Sequence, residues 1–125
     1  MILGLGTDVV EVARIADLAA RYGDRFLGRC FSPAERDLAR RRGPAQAAAL
    51  AARWAAKEAF LKALGRDVRA IPYHEVEVVR DATGPVALRL HGRAAAARAA
   101  GGGRRVHLAR SHERAYAVAT VVIEG

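Results

Sequence analysis

The chain opens with Ile2-Leu3-Gly4-Leu5-Gly6-Thr7-Asp8-Val9-Val10, an apolar run of strand length whose interior glycines leave room for another backbone or helix to lie close. This predicts a buried strand with Asp8 near its carboxyl end. From Glu11 to about Tyr22 the period changes: Val12, Ile15, Leu18 and Ala19 recur at helical spacing, while Arg14 and Arg21 share the exposed face. Arg25 and Arg29 extend that positive surface. Ser32-Pro33-Ala34-Glu35 has the form of a capped helix start, with Ser32 as N-cap, Pro33 in the first turn and Glu35 closing a capping box. That helix should run to about Arg42, where Gly43-Pro44 breaks it.

A long alanine-rich segment follows, from Ala45 to Leu64, with Gly65 as its stop. Wound at about 100° per residue, it places Leu50, Trp54, Leu61 and Leu64 on one face and Ala51, Ala52, Ala55, Ala56, Ala59 and Ala63 over much of the other. A helix apolar on both sides belongs in the centre of the molecule. The remainder reads as strands at 76–79 and 86–90, a helix at 93–100, a Gly101-Gly102-Gly103 turn, and strands near Val106 and at 116–123. The result is one α+β domain over residues 1–125, with no repeat and no linker long enough to divide it.

Composition narrows this little until its distribution is considered. With 52% hydrophobic residues in 125, the chain can bury a modest core of its own. No apolar run reaches membrane-spanning length, so a soluble, cytoplasmic protein without a membrane partner is expected. Cys30, the single cysteine, cannot form an internal disulfide; packing is its expected role, a reactive thiol the alternative. The formal charge of +8 favours an anionic partner without saying which. Of the 21 basic residues all but Lys57 and Lys62 are arginine. Confining both lysines to one segment points to a demand that a generic cation does not meet.

The chemistry should lie on the long helix. A buried helix carrying Arg53, Lys57, Glu58 and Lys62 must pair those charges or offer them to a ligand, because unpaired buried charge is costly. Glu58 and Lys62, one turn apart, could form a stabilising bridge; alternatively, Glu58 holds a hard cation and Lys62 meets the anion bridged by it. Asp8 is the natural second carboxylate if its strand lies against the helix, although it could equally cap a turn. Two carboxylates completed by phosphate oxygens and water suit magnesium. His112, beside Ser111, could donate to a phosphate or make a structural hydrogen bond. His74, His91 and His107 show no zinc spacing, and no phosphate-binding loop, dinucleotide fingerprint or nucleophile elbow is present.

Taken together, three segments resemble the bacterial holo-acyl-carrier-protein synthases, the small trimeric branch of the phosphopantetheinyl transferases. They are Gly4-Leu5-Gly6-Thr7-Asp8-Val9-Val10-Glu11-Val12-Ala13-Arg14-Ile15, then Arg53-Trp54-Ala55-Ala56-Lys57-Glu58-Ala59-Phe60-Leu61-Lys62-Ala63-Leu64-Gly65, and Ser111-His112-Glu113 with Tyr116-Ala117-Val118-Ala119. Phe31-Ser32 to Glu35 is similar to a further family segment. The resemblance implies an antiparallel sheet packed on a long central helix, assembly into a homotrimer, and transfer of 4'-phosphopantetheine from coenzyme A to a serine of an acyl carrier protein. It assigns Asp8 and Glu58 to magnesium, with Lys62 beside them in catalysis, and Arg53, Lys57, Lys62 and His112 to coenzyme A. Arg14 is assigned to carrier docking, with Arg21 and Arg25 expected on the same acidic partner.

The serine's base is left open between Glu58, acting through water, and Lys62. The chain departs from the family pattern at Arg110, where a small polar residue is more usual, and at Thr83-Gly84-Pro85-Val86, which lacks the common Gly-Lys-Pro order. Two rival functions stand beside this one. A basic nucleic-acid-binding module fits the charge but is weakened by few aromatics and no recognised motif, and a noncatalytic carrier-binding scaffold would not need Asp8, Glu58 and Lys62 together.

Overall fold

A computed structural model describes residues 1–65, 68–80 and 84–125 of the chain. Strand β1 (Ile2–Glu11), helices α1 (Val12–Tyr22), α2 (Asp24–Cys30), α3 (Pro33–Arg40) and α4 (Gln46–Leu64), the hairpin β2 (Val76–Arg80) and β3 (Val86–Leu90), helix α5 (Gly92–Ala100) and strands β4 (Arg105–Glu113) and β5 (Tyr116–Glu124) follow in that order. β1, β5 and β4 form an antiparallel sheet with β5 in the middle, and β2 and β3 pair separately. The strands therefore divide into two sheets. Residues 81–83 lie outside the described residues, and with them the Thr83 departure from the family pattern.

Gly4 and Gly6 explain how α4 reaches the sheet. A Cβ on Gly4 would overlap the carbonyl oxygen of Ala63, and one on Gly6 would overlap that of Ala59, so the strand lies directly on the helix backbone. Strand alternation then puts Gly4, Gly6, Asp8 and Val10 on the face toward α4. Ala117, Ala119, Val121 and Ile123 of β5 are buried on the corresponding face. Small residues on both sides let helix and sheet approach closely, and Leu50, Phe60, Ile15 and Phe31 fill the wider gaps. The other face of β1 shows the opposite pattern: Ile2 is 67% exposed and Leu5 64%.

The local stops and starts follow their side chains. Ser32 Oγ accepts from the Glu35 N–H at 3.2 Å while Glu35 Oε1 accepts from the Ser32 N–H at 2.9 Å, a complete capping box opening α3. Gly65 ends α4 in the left-handed region at φ 73°, where a residue with a Cβ would be strained. Helix α2 is an element that the hydrophobic pattern did not predict. Its seven residues span two turns, too few to establish a period, and Gly23 and Gly28 read as breakers.

Candidate active site

Asp8 belongs to the strand rather than to a turn or cap, since β1 continues to Glu11 with Asp8 opposite Ala119 of β5. Its alternation with Gly6 and Val10 sends the carboxylate toward the C-terminal half of α4. There Lys62 Nζ donates to Asp8 Oδ1 at 3.1 Å and to the Thr7 carbonyl at 3.0 Å. Asp8 is 14% exposed, and its second oxygen, Oδ2, is buried with no hydrogen-bond partner among the described residues. A buried carboxylate oxygen lacking a donor is costly unless something positive completes it.

Glu58 lies one turn before Lys62 on α4. It does not bridge to that lysine: its Oε1 accepts from the Tyr73 hydroxyl at 2.8 Å. Burial first, and then the hydrogen bond and negative charge of Glu58, raise the Tyr73 phenol above its ordinary value, so it remains a donor at neutral pH. Asp8 adds to that upward push. Glu58, Lys62 and Tyr73 line an open groove of about 900 Å³ with Leu61, Val68 and Ile71, and Asp8 is joined to it through its bond to Lys62. Among the described residues no three His, Cys, Asp or Glu side chains gather as a metal cage. Two carboxylates, one with an orphaned buried oxygen, nevertheless fit a magnesium ion that takes its remaining ligands from phosphate and water.

The other expected cofactor residues lie elsewhere. Arg53 and His112 line a second cavity of about 270 Å³ together with Arg42, Arg80, Arg110 and Ser111. Five residues separate Arg53 from Glu58, about 140° around the helix, so the two sites look out from different faces of α4. Burial and then neighbouring Arg53, Arg80 and Arg42 push the Arg110 guanidinium down to about 10, still protonated at neutral pH. Arg53 Nε is buried with no partner among the described residues, while its Nη1 donates to the Ala49 carbonyl at 3.0 Å. This crowd of cations is an anion site by its chemistry.

Lys57 requires a correction. Expected to face coenzyme A, its side chain is 0% exposed, and its ammonium donates to Glu35 Oε1 at 2.8 Å, Val76 O at 2.6 Å and Tyr73 O at 3.2 Å. All three protons are committed within the chain, leaving none for a ligand. Burial pushes this ammonium below its ordinary value, against the Glu35 carboxylate that favours its charge. Cys30 is half-buried, and burial pushes its thiol up to about 11, which makes it an unreactive packing group.

The three arginines expected to dock a carrier lie on the first two helices. Arg14, Arg21 and Arg25 are exposed on α1 and α2, and Arg21 pairs loosely with Asp17 at 3.6 Å. The Arg14 guanidinium sits 5.9 Å from the centre of the Trp54 ring, and Trp54 in turn packs on Tyr73 with ring centres 5.1 Å apart. This surface is thereby continuous with the groove. Tyr73, Arg42 and Arg80 were not singled out by the sequence pattern. Tyr73 opens a three-residue 3-10 turn, Tyr73–Glu75, too short to carry a period, and the two arginines are lost among many.

A sheet laid on a central helix, with Glu58 and an Asp8-bound Lys62 along that helix and clustered arginines on another of its faces, has the chemistry of a phosphate-handling domain. The chain belongs to the 4'-phosphopantetheinyl transferase superfamily, whose family model matches residues 4–121. It is 47% identical over 125 residues to a holo-[acyl-carrier-protein] synthase of Koribacter versatilis, covering 99% of both chains. The identity is 45% to the enzyme of that name from Solidesulfovibrio magneticus, with 100% of both covered. Among solved structures, the holo-[acyl-carrier-protein] synthase of Neisseria meningitidis superposes with TM-score 0.86 at 36% identity over 100% of each chain. The Chronobacterium ammoniagenes ACPS-CoA complex gives 0.80 at 35%, covering 96% of this chain and 95% of that one.

Proposed function

We propose that this chain transfers the 4'-phosphopantetheine group of coenzyme A to a serine of an apo-acyl-carrier protein, releasing adenosine 3',5'-bisphosphate, with magnesium held by Asp8 and Glu58. The observation that carries the metal site is the meeting of β1 and α4. Lys62, which lines the groove with Glu58 one turn before it on α4, bonds Asp8 of β1, whose Oδ2 is buried with no hydrogen-bond partner among the described residues. When bound there, magnesium would neutralise the diphosphate of coenzyme A and favour departure of the nucleotide. Lys62, with its side chain 53% exposed, is free to swing from Asp8 to a phosphate oxygen and stabilise the charge that develops in transfer. Glu58 is placed to receive the serine proton through water.

Coenzyme A carries a further phosphate on its ribose, distant from the diphosphate, and the arginine cavity with Arg53 and His112 suits it. Within one chain the two sites open on different faces of α4. A cyclic trimer resolves this by setting the groove of one subunit beside the arginine cavity of the next. The exposed apolar face of the sheet, with Ile2, Leu3, Leu5, Val9 and Tyr116, is the kind of surface such an assembly covers. Arg14, Arg21 and Arg25 supply the positive docking face for an acidic carrier. This reading places the protein in carrier-dependent lipid synthesis in the cytoplasm.

Glu58→Gln tests the metal site, since it removes the ligand charge with little change of volume. Apo-carrier, coenzyme A and magnesium are mixed with the variant and the carrier is weighed by mass spectrometry. Transfer should fall by at least about a hundredfold with the fold intact, in keeping with the loss of one preorganised charge at a reacting centre. Normal turnover by the folded variant would refute the assignment.

A further inference from the structure

Tyr73 is held from three directions. Its hydroxyl donates to Glu58 Oε1 at 2.8 Å, its ring packs against Trp54 with centres 5.1 Å apart, and its carbonyl accepts from the buried Lys57 ammonium at 3.2 Å. Lys57 is itself fixed by Glu35 and the Val76 carbonyl. A tyrosine whose two ends are both pinned cannot follow Glu58 about; Glu58 must come to it. One carboxylate oxygen thereby has a fixed donor, and no hydrogen bond to the other is present among the described residues.

Asp8, held by the Lys62 that lines the groove, repeats the arrangement. Lys62 takes one of its oxygens at 3.1 Å while the other has no partner among the described residues. Each carboxylate is thus steered by a single donor bound to one oxygen. Partners that hold a ligating side chain in orientation commonly matter tenfold or more to metal affinity.

We infer that Tyr73 is a positioning residue for the metal site: its hydroxyl fixes the Glu58 carboxylate so that one oxygen is presented to the divalent ion before the ion arrives. The inference rests on the assignment of Glu58 and Asp8 as metal ligands. It gives Lys57 a second consequence besides stability, because the same ammonium that closes the core anchors the residue that orients its sequence neighbour, Glu58. Preorganisation of this kind acts on metal affinity and leaves the chemical step at full metal occupancy largely to other groups.

The test is Tyr73→Phe, which keeps the ring on Trp54 and removes only the hydroxyl. Mn²⁺ serves as the probe, titrated by electron paramagnetic resonance with coenzyme A present and the carrier absent, so that binding is read without turnover. Asp8→Asn and Glu58→Gln run beside it, with melting curves for all. Tyr73→Phe should weaken Mn²⁺ binding by about tenfold and raise the magnesium concentration for half-maximal transfer by the same factor, with most of the turnover restored at saturating metal.

Unaltered Mn²⁺ affinity in Tyr73→Phe, alongside weakened binding in Asp8→Asn and Glu58→Gln, would overturn the positioning role while sparing the metal site. Unaltered affinity in all three would overturn both. Normal affinity with turnover lost at saturating metal would move Tyr73 onto the substrate and equally reject this inference. Should Tyr73→Phe fail to fold, the tyrosine ultraviolet difference spectrum of a Tyr22→Phe, Tyr116→Phe variant reads the same contact. A shift on adding Mg²⁺ with coenzyme A is expected, and its absence in that background, where Tyr73 is the remaining tyrosine, would overturn the proposal.

Discussion

Lys57 and Lys62, the only two lysines in the chain, sit five residues apart on one helix and do different work. Lys57 is sealed among Glu35 and two carbonyls with no exposure, whereas Lys62 is half in water and holds one oxygen of Asp8 and the Thr7 carbonyl. The first ties α3, α4 and the start of β2 into one unit. The second is a cation that can exchange partners. In the interior, moving an ion to a new partner means crossing a poorly solvating medium, so the pair is fixed; at the groove edge water lowers that barrier and the charge remains available to a ligand. Depth, more than residue type, separates a structural lysine from a chemical one.

The largest effect that would break this comparison is on stability. Lys57→Met should cost about 3–5 kcal/mol in urea unfolding, because it strands the Glu35 carboxylate in the core. Lys62→Met should cost less than about 1 kcal/mol, as expected of a partly solvated pair. Equal losses would show that depth does not divide them. Next in size is the effect of Lys62→Met on transfer, read by the rate of carrier modification at saturating coenzyme A and magnesium. A fall of about a hundredfold is expected for one donor removed from developing phosphate charge, and a rate near that of the unmutated chain would return Lys62 to a purely structural bridge.

The smallest effect concerns acid. Although burial opposes it, hydrogen bonds from Ser32 and His91 hold the Glu77 carboxyl below its ordinary value. A depressed folded value means that its stabilisation is fully present above the unfolded carboxylate value of about 4.3 and is lost as pH falls through the folded one. The melting-temperature difference between the unmutated protein and Glu77→Gln should therefore shrink as pH drops below that point. A difference that held constant into strong acid would place its origin in packing.

The same division between depth and type marks what could be read from the chain alone. The capping box at Ser32, the stop at Gly65 and the two-sided apolar character of α4 are local or periodic features, and each is present in the structure. The close approach at Gly4 and Gly6 follows from side-chain size, which is also written in the residues. Helix α2 escaped because two turns carry no period. Motif resemblance assigned Lys57 a ligand because a motif records which residue recurs without recording what it faces.

What the sequence by itself determined is the set of elements with local causes: the first strand with its two glycines, the helix that carries Glu58 and Lys62 one turn apart, and the glycine that ends it. Tertiary packing alone decided the rest. The register of β1 on α4 leaves Asp8 Oδ2 without a donor among the described residues, the arrival of Glu35 from a different helix consumes Lys57, and a tyrosine from a three-residue 3-10 turn closes on Glu58. Hydrogen bonds and ion pairs act over a few ångströms in space, and neither spacing nor composition along a chain encodes which distant groups will come within that range.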